Sequence, residues 1–158
     1  MTTIYDLRDR LENEDLLIME GHKGKQSHDC SYTLGMIKFG LPEIIKVGMD
    51  SNFDWHITGN LMLQLKDKFR ADPTKVKPQL IEDVILRPLV LIEADADLVE
   101  PFAKAAFVYA QITERPAPCF MQILWTDEDG RLPWADGFKP LPFEQLVLCR
   151  NPAAQFPA

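Results

Sequence analysis

Tyr32, Thr33 and Glu43 place a phenol, a hydroxyl and a carboxylate close together in the chain, with Gly35 and Gly40 bracketing the connection between them. If that connection is a turn, the end of one strand and the start of the next lie side by side. Three polar groups would then converge at one sheet edge, an arrangement suited to hydrogen-bonding a polar ligand. In an enzyme, Glu43 would be the general base, with Cys30 or His28 assisting. A plainer reading is favoured: Gly35 and Pro42 shape the connection, Tyr32 packs, and Glu43 caps backbone N–H groups. His28 and Cys30, two residues apart, share one face of a strand. With His22 they could supply a Cys/His nucleophilic pair or three ligands to zinc. No Cys-x-x-Cys or His-x-x-x-His accompanies them, so a surface His28 and a buried, apolar-like Cys30 are favoured. No catalytic residue, metal ligand or cofactor is assigned.

Aromatic residues form the second set. Gln122 and Trp125 lie on opposite faces of a regular strand, so at most one joins a given pocket. Trp134 and Phe138 flank Asp136-Gly137 in a segment rich in proline and glycine. Large aromatics there act as a lid over a pocket, an interaction hot spot, or a local plug on the sheet, the plug being the plainest choice. The candidate ligand- or partner-binding residues are therefore Tyr32, Thr33, Glu43, Trp125, Trp134 and Phe138.

The elements that must position these residues follow from periodicity and punctuation. Ile4, Leu7 and Leu11 predict a helix over 3–14, with Thr3 and Asp6 as a near capping box. Strands are expected at 16–19, 28–34 and 43–49, the first two joined by a glycine-rich polar loop. Asp50-Ser51-Asn52 can cap a helix running to Phe69, with Trp55, Thr58, Met62, Leu65 and Phe69 on one face and Leu61 beside them. Two β-rich runs, 80–86 and 89–94, are separated by Arg87-Pro88, which implies an edge, a bulge or a tight switch. Asp97 and Glu100 open a helix to about Thr113, with Pro101 in its first turn. Residues 119–126 form the clearest strand, Asp127 to Gly130 its turn, and 131–142 is expected to be irregular. This order gives an α+β fold: a single domain over 1–150 with a mixed or antiparallel sheet of about five to six strands, covered by three helices. Residues 151–158 read as a frayed tail, or one that lies on a partner.

The balance of 46% hydrophobic and 26% charged residues is that of a globular protein. Seventeen Lys and Arg against 24 Asp and Glu leave a net charge of −7. That argues against nucleic-acid and anionic-membrane binding, which draw on a positive field. Basic residues are not interleaved with aromatics as in an RNA platform. Phosphate-loop, dinucleotide, serine-hydrolase and zinc-protease motifs are absent from the sequence. No apolar run approaches the ~20 residues needed to span a bilayer. The N-terminus lacks signal-peptide character, and three irregularly spaced cysteines suit a reducing compartment. The expectation is a cytoplasmic protein without nucleic-acid or membrane partners.

Five short motifs stand in order: Tyr32-Thr33-Leu34-Gly35-Met36, Gly40-Leu41-Pro42-Glu43, Gln122-Ile123-Leu124-Trp125, Asp127-Glu128-Asp129-Gly130, and Leu132-Pro133-Trp134-Ala135-Asp136-Gly137-Phe138. By these motifs, over roughly residues 28 to 138, the chain resembles the bacterial domain-of-unknown-function family 4262. Met36 stands where that pattern has leucine. The resemblance implies a compact bacterial or phage-encoded cytosolic domain and transfers no catalytic residue. The preferred functional reading is a non-catalytic binding module that contacts a protein partner, or another copy of itself as a homo-oligomer, through the Trp134–Phe138 segment and the Tyr32–Glu43 edge. The alternative is a small enzyme or small-molecule-binding domain with a cleft lined by Tyr32, Thr33, Glu43 and Trp134. Residues 32–43 and 125–138 are expected to meet at one end of the sheet.

Overall fold

A computed structural model describes residues 2–21, 30–48, 51–82, 84, 88–141 and 144–157, with 51–56 described by backbone alone. His22 and His28, and with them the nucleophile and zinc readings, lie outside these residues. Thr3 caps helix α1 (Ile4–Leu11) as the sequence predicts, with the Thr3 hydroxyl and the Asp6 carboxylate each bonded to the other's backbone N–H. Strands β1 (Leu17–Gly21), β2 (Cys30–Leu34) and β3 (Glu43–Val47) follow, with a short 3₁₀ turn, Met36–Phe39, between the last two. Then come the long helix α2 (Ser51–Ala71), strands β4 (Gln79–Ile81) and β5 (Leu89–Ala94), helices α3 (Ala96–Val99) and α4 (Lys104–Ile112), strand β6 (Phe120–Trp125) and helix α5 (Pro152–Gln155).

The strands form one six-stranded sheet in the order β1-β2-β3-β6-β5-β4. Every neighbouring pair is antiparallel except β3 and β6, which run parallel at the centre. The α+β expectation and its mixed sheet hold. The short β4 is an edge strand, one of the positions expected on either side of Arg87-Pro88.

Three apolar layers cover the sheet. Leu7, Leu11, Ala106 and Tyr109 of α1 and α4 pack on Tyr32, Leu34, Ile45 and Phe120. On the other face, Leu61, Met62, Leu65 and Phe69 of α2 pack on Ile44, Leu91, Met121 and Ile123. Burying each such side chain contributes roughly 1.5–3 kcal/mol. The chain beyond β6 supplies the third layer, in which Leu132 and Cys149, with Trp134, lie over Val90, Ile92 and Leu124.

The expected helix over 97–113 divides in two. It begins earlier, with Asp95 in the N-cap position, so Pro101 falls beyond the first turn. There proline has no N–H for the helical ladder and its ring crowds the preceding turn. The chain re-enters a helix only at Lys104.

The segment read as a frayed tail carries α5 and is tied to β5. The Gln155 carboxamide accepts from the Glu93 N–H at 2.6 Å and donates to the Glu93 carbonyl at 2.8 Å. Gln145 makes the same two-point pairing with Trp125, at 2.7 and 3.1 Å. Gln122, fully buried, reaches outward from β6 to the Leu146 carbonyl and the Leu148 N–H. Three glutamines thus stand in for strand pairing along a segment that is not itself a strand.

Candidate functional site

Glu43 opens β3, and its carboxylate turns back over the loop that precedes it. One oxygen, Oε1, accepts from the Thr33 hydroxyl at 2.8 Å and the Met36 N–H at 3.0 Å. The other, Oε2, accepts from the N–H groups of Gly35 at 3.2 Å and Ile37 at 3.3 Å. These N–H groups open the 3₁₀ turn, and Gly35 in the N-cap position has no side chain to satisfy them. Glu43 therefore caps the turn from the following strand. Gly35 sits at φ 127°, and a Cβ there would lie 2.9 Å from Leu11 Cδ2 and 3.0 Å from the Asp15 carbonyl. The turn can close against α1 only without a side chain. The Thr33 hydroxyl also accepts from the Ile44 N–H at 2.9 Å.

Burial pushes the Glu43 carboxyl up to about 7, against the pull of Thr33 and of the Gly35, Met36 and Ile37 N–H groups. Lys38 does not neutralise it through an ion pair; its ammonium bonds the carbonyls of Leu11 and Glu14 at 2.8 and 2.7 Å. Tyr32 belongs to the α1/α4 core, where burial pushes its hydroxyl up to about 12. Cys30 is buried in the same core, its thiol 3.6 Å from the Phe102 carbonyl.

The second set sits elsewhere. Glu43 pairs in register with Phe120, the first residue of β6, whereas Trp125 is the last. At a rise of about 3.3 Å per residue, the two ends lie about 17 Å apart. The expected meeting of residues 32–43 with 125–138 does not occur, because β3 and β6 are parallel. A cleft lined jointly by Tyr32, Thr33, Glu43 and Trp134 is therefore not formed. Trp125 packs in the α2 core, with the Lys46 ammonium 5.8 Å from its ring centroid.

Beyond Trp125, the buried Asp127 organises the turn. Its carboxylate accepts from the N–H groups of Asp129, Arg131 and Lys139 at 2.9, 2.8 and 3.0 Å, and from the Arg131 guanidinium at 3.3 Å. Burial would raise this carboxyl, but the Lys139 and Arg131 N–H groups, the Arg131 guanidinium and the Asp129 N–H hold it down at about 2. Trp134 is half-buried, and its indole N–H donates to the Phe156 carbonyl at 2.8 Å. That is the plug reading. Phe138, with Pro133, Pro140 and Val147, borders a shallow depression of about 530 Å³.

A larger cleft, of about 750 Å³, opens at the Glu43 end of the sheet. Gly40, Leu41 and Pro42, leading into β3, form one wall; Pro116 to Cys119, leading into β6, form another. The Glu43 N–H donates to the Cys119 carbonyl at 2.9 Å and joins the two walls. Ala94 and Ala96 line the side where β5 passes into α3. Among the described residues, no three His, Cys, Asp or Glu side chains are grouped to hold a metal ion. None of the described helices is long and apolar enough to cross a membrane.

The family model for a Domain of unknown function (DUF4262) matches residues 12–139. The chain belongs to this family. No curated protein and no solved structure matches it. The DUF4262 match spans both ends of the sheet, including the Glu43 cap, the Asp127 turn and the walls of the larger cleft. Of the six candidate residues, Thr33 and Glu43 touch each other, and the remaining four are distributed over separate layers. Sequence reasoning missed the cleft itself and Arg115 on its rim. Arg115-Pro116-Ala117-Pro118 signals a helix stop, but nothing in that signal places the stop beside Gly40-Leu41-Pro42.

Proposed function

We propose that this DUF4262 domain is a non-catalytic binding module whose ligand, a small molecule, occupies the cleft between the Gly40–Pro42 and Pro116–Cys119 walls. The observation that carries this reading is the cleft's construction. Its volume of about 750 Å³ falls within the roughly 300–1,000 Å³ of small-molecule sites, and its lining is predominantly apolar. One wall is preformed, because Glu43 fixes the turn that leads into it. A preformed wall lowers the ordering cost of binding. Catalysis by Glu43 is disfavoured, since all four of its acceptor positions are taken by the protein.

A second reading retains the Trp134–Phe138 segment as a contact for a protein partner or a second copy of the chain. The depression beside Phe138 favours it. One experiment separates the two: backbone-amide NMR with a panel of small apolar and aromatic probes, together with a dilution series of the protein alone. Shifts gathered at residues 37–42 and 115–121 on adding probe support the cleft. Concentration-dependent shifts gathered at 133–147 support self-association, and shifts at neither place refute both.

A further inference from the structure

We propose that the cleft takes an apolar molecule bearing one anionic group, and that Arg115 is the residue that pairs it. This rests on the cleft being the ligand site. Arg115 stands among Ile37, Leu41, Pro42, Phe120 and Met121, all on the cleft lining. Arg8, Arg10, Arg70, Arg131 and Arg150 each hold a carboxylate within 3.5 Å. Arg115, half-buried, has no ion pair and no side-chain hydrogen bond among the described residues. Every other described arginine finds its carboxylate within the chain, so the partner proposed for Arg115 comes from outside it. A guanidinium there offers paired, charge-assisted hydrogen bonds to a carboxylate, sulfonate or phosphate. Glu93 also reaches the lining, but it is exposed on β5, where water screens its repulsion of an anion.

The backbone that delivers Arg115 is itself unusual. Glu114 has φ 57°, and no other described non-glycine residue has a positive φ. Its N–H bonds the Gln111 carbonyl at 3.2 Å, and the next N–H, of Arg115, bonds the Ala110 carbonyl at 2.8 Å. This is the helix stop that glycine usually supplies. A left-handed glutamate there turns the chain sharply out of α4, so that Arg115 enters the cleft wall.

The test is an NMR titration of the whole chain with octanoate, octan-1-ol and octylammonium, which share a tail and differ in head charge. Octanoate should bind the wild type about tenfold more tightly than octanol, and octylammonium no more tightly than octanol. In Arg115→Gln the octanoate preference should vanish while octanol binding is unchanged. Equal binding of octanoate and octanol to the wild type overturns the anion inference, and a preference that survives in Arg115→Gln overturns the assignment to Arg115; either result leaves the cleft reading standing. If no probe shifts the resonances of residues 37–42 and 115–121, the cleft reading falls. The three-probe comparison on the wild type needs no variant, so a misfolded Arg115→Gln cannot mask the result.

Discussion

Replacing Glu43 by glutamine tests whether burial or hydrogen bonding decides the charge of the residue that fixes the cleft wall. The carboxylate is 1% exposed and accepts four hydrogen bonds. Burial raises its pKa from the ordinary 4.5 to about 7. Because the folded value lies above the unfolded one, the native state holds the extra proton between those two pH values. Stability from this group is full below pH 4.5, falls as pH rises through the window, and is gone above 7. At about 1.4 kcal/mol per pH unit, the loss across the window is about 3 kcal/mol. Glutamine keeps the shape, carries no charge and does not titrate. Tyr32 and Tyr109, which also feel Glu43, have their hydroxyls raised from the ordinary 10 and stay neutral between pH 5 and pH 8. Urea unfolding at pH 5 and pH 8 should show the wild type losing most of that ~3 kcal/mol relative to Glu43→Gln. At pH 5 the variant should be the less stable by about 1–3 kcal/mol, because its amide nitrogen cannot accept from the buried donors that one Glu43 oxygen holds, so the test is how that gap changes with pH. If the two proteins change in parallel, or if the wild type gains on the variant as pH rises, the reasoning is refuted. The four donors would then hold the carboxylate ionised in spite of burial.

Gln122→Leu leaves the Leu146 carbonyl and the Leu148 N–H without their buried partner. It should cost about 2–4 kcal/mol by denaturant unfolding and raise amide hydrogen exchange selectively in residues 146–150. Glu114→Gly removes a left-handed glutamate and should stabilise the chain by about 0.5–1 kcal/mol after allowing for glycine's greater freedom when unfolded. In differential scanning calorimetry that is a rise in Tm of about 1–4 °C, and an unchanged or lower Tm counts against strain at this stop.

The sequence makes local structure legible where a single element decides the outcome. Thr58, Leu61, Met62, Leu65 and Phe69 recur at helical spacing, and all five are buried on one stripe of α2. The capping of α1 follows from two residues three apart, and the plain reading of Glu43 as a backbone cap needs only the turn beside it. Which strands become neighbours is not encoded locally. β-rich composition marks 43–49 and 119–126 as strands but is blind to whether they run parallel, and that one fact separates Glu43 from Trp125. The tail is a related case, because it is tied to β5 by the Gln155 side chain rather than by its own backbone. The cleft is formed by three turns distant in sequence, none of which signals the others.

Counting hydrogen-bond capacity narrows where chemistry can reside. An ionised carboxylate offers about four acceptor positions. Glu43 spends four on the turn before β3, and Asp127 spends four on the turn after β6. The Gln122 carboxamide is bonded through both its oxygen and its nitrogen, and the Trp134 indole N–H holds the Phe156 carbonyl. The polar side chains that make the chain recognisable thus have little capacity left for a ligand, and drawing on it would release a loop that they hold. Arg115 is the opposite case: a charged group held at the cleft by a strained helix stop, with five N–H donors and, among the described residues, no acceptor committed to them. If DUF4262 domains of this construction bind a small molecule, its acceptor group should therefore be sought against Arg115 and its apolar body against the wall that Glu43 keeps in place.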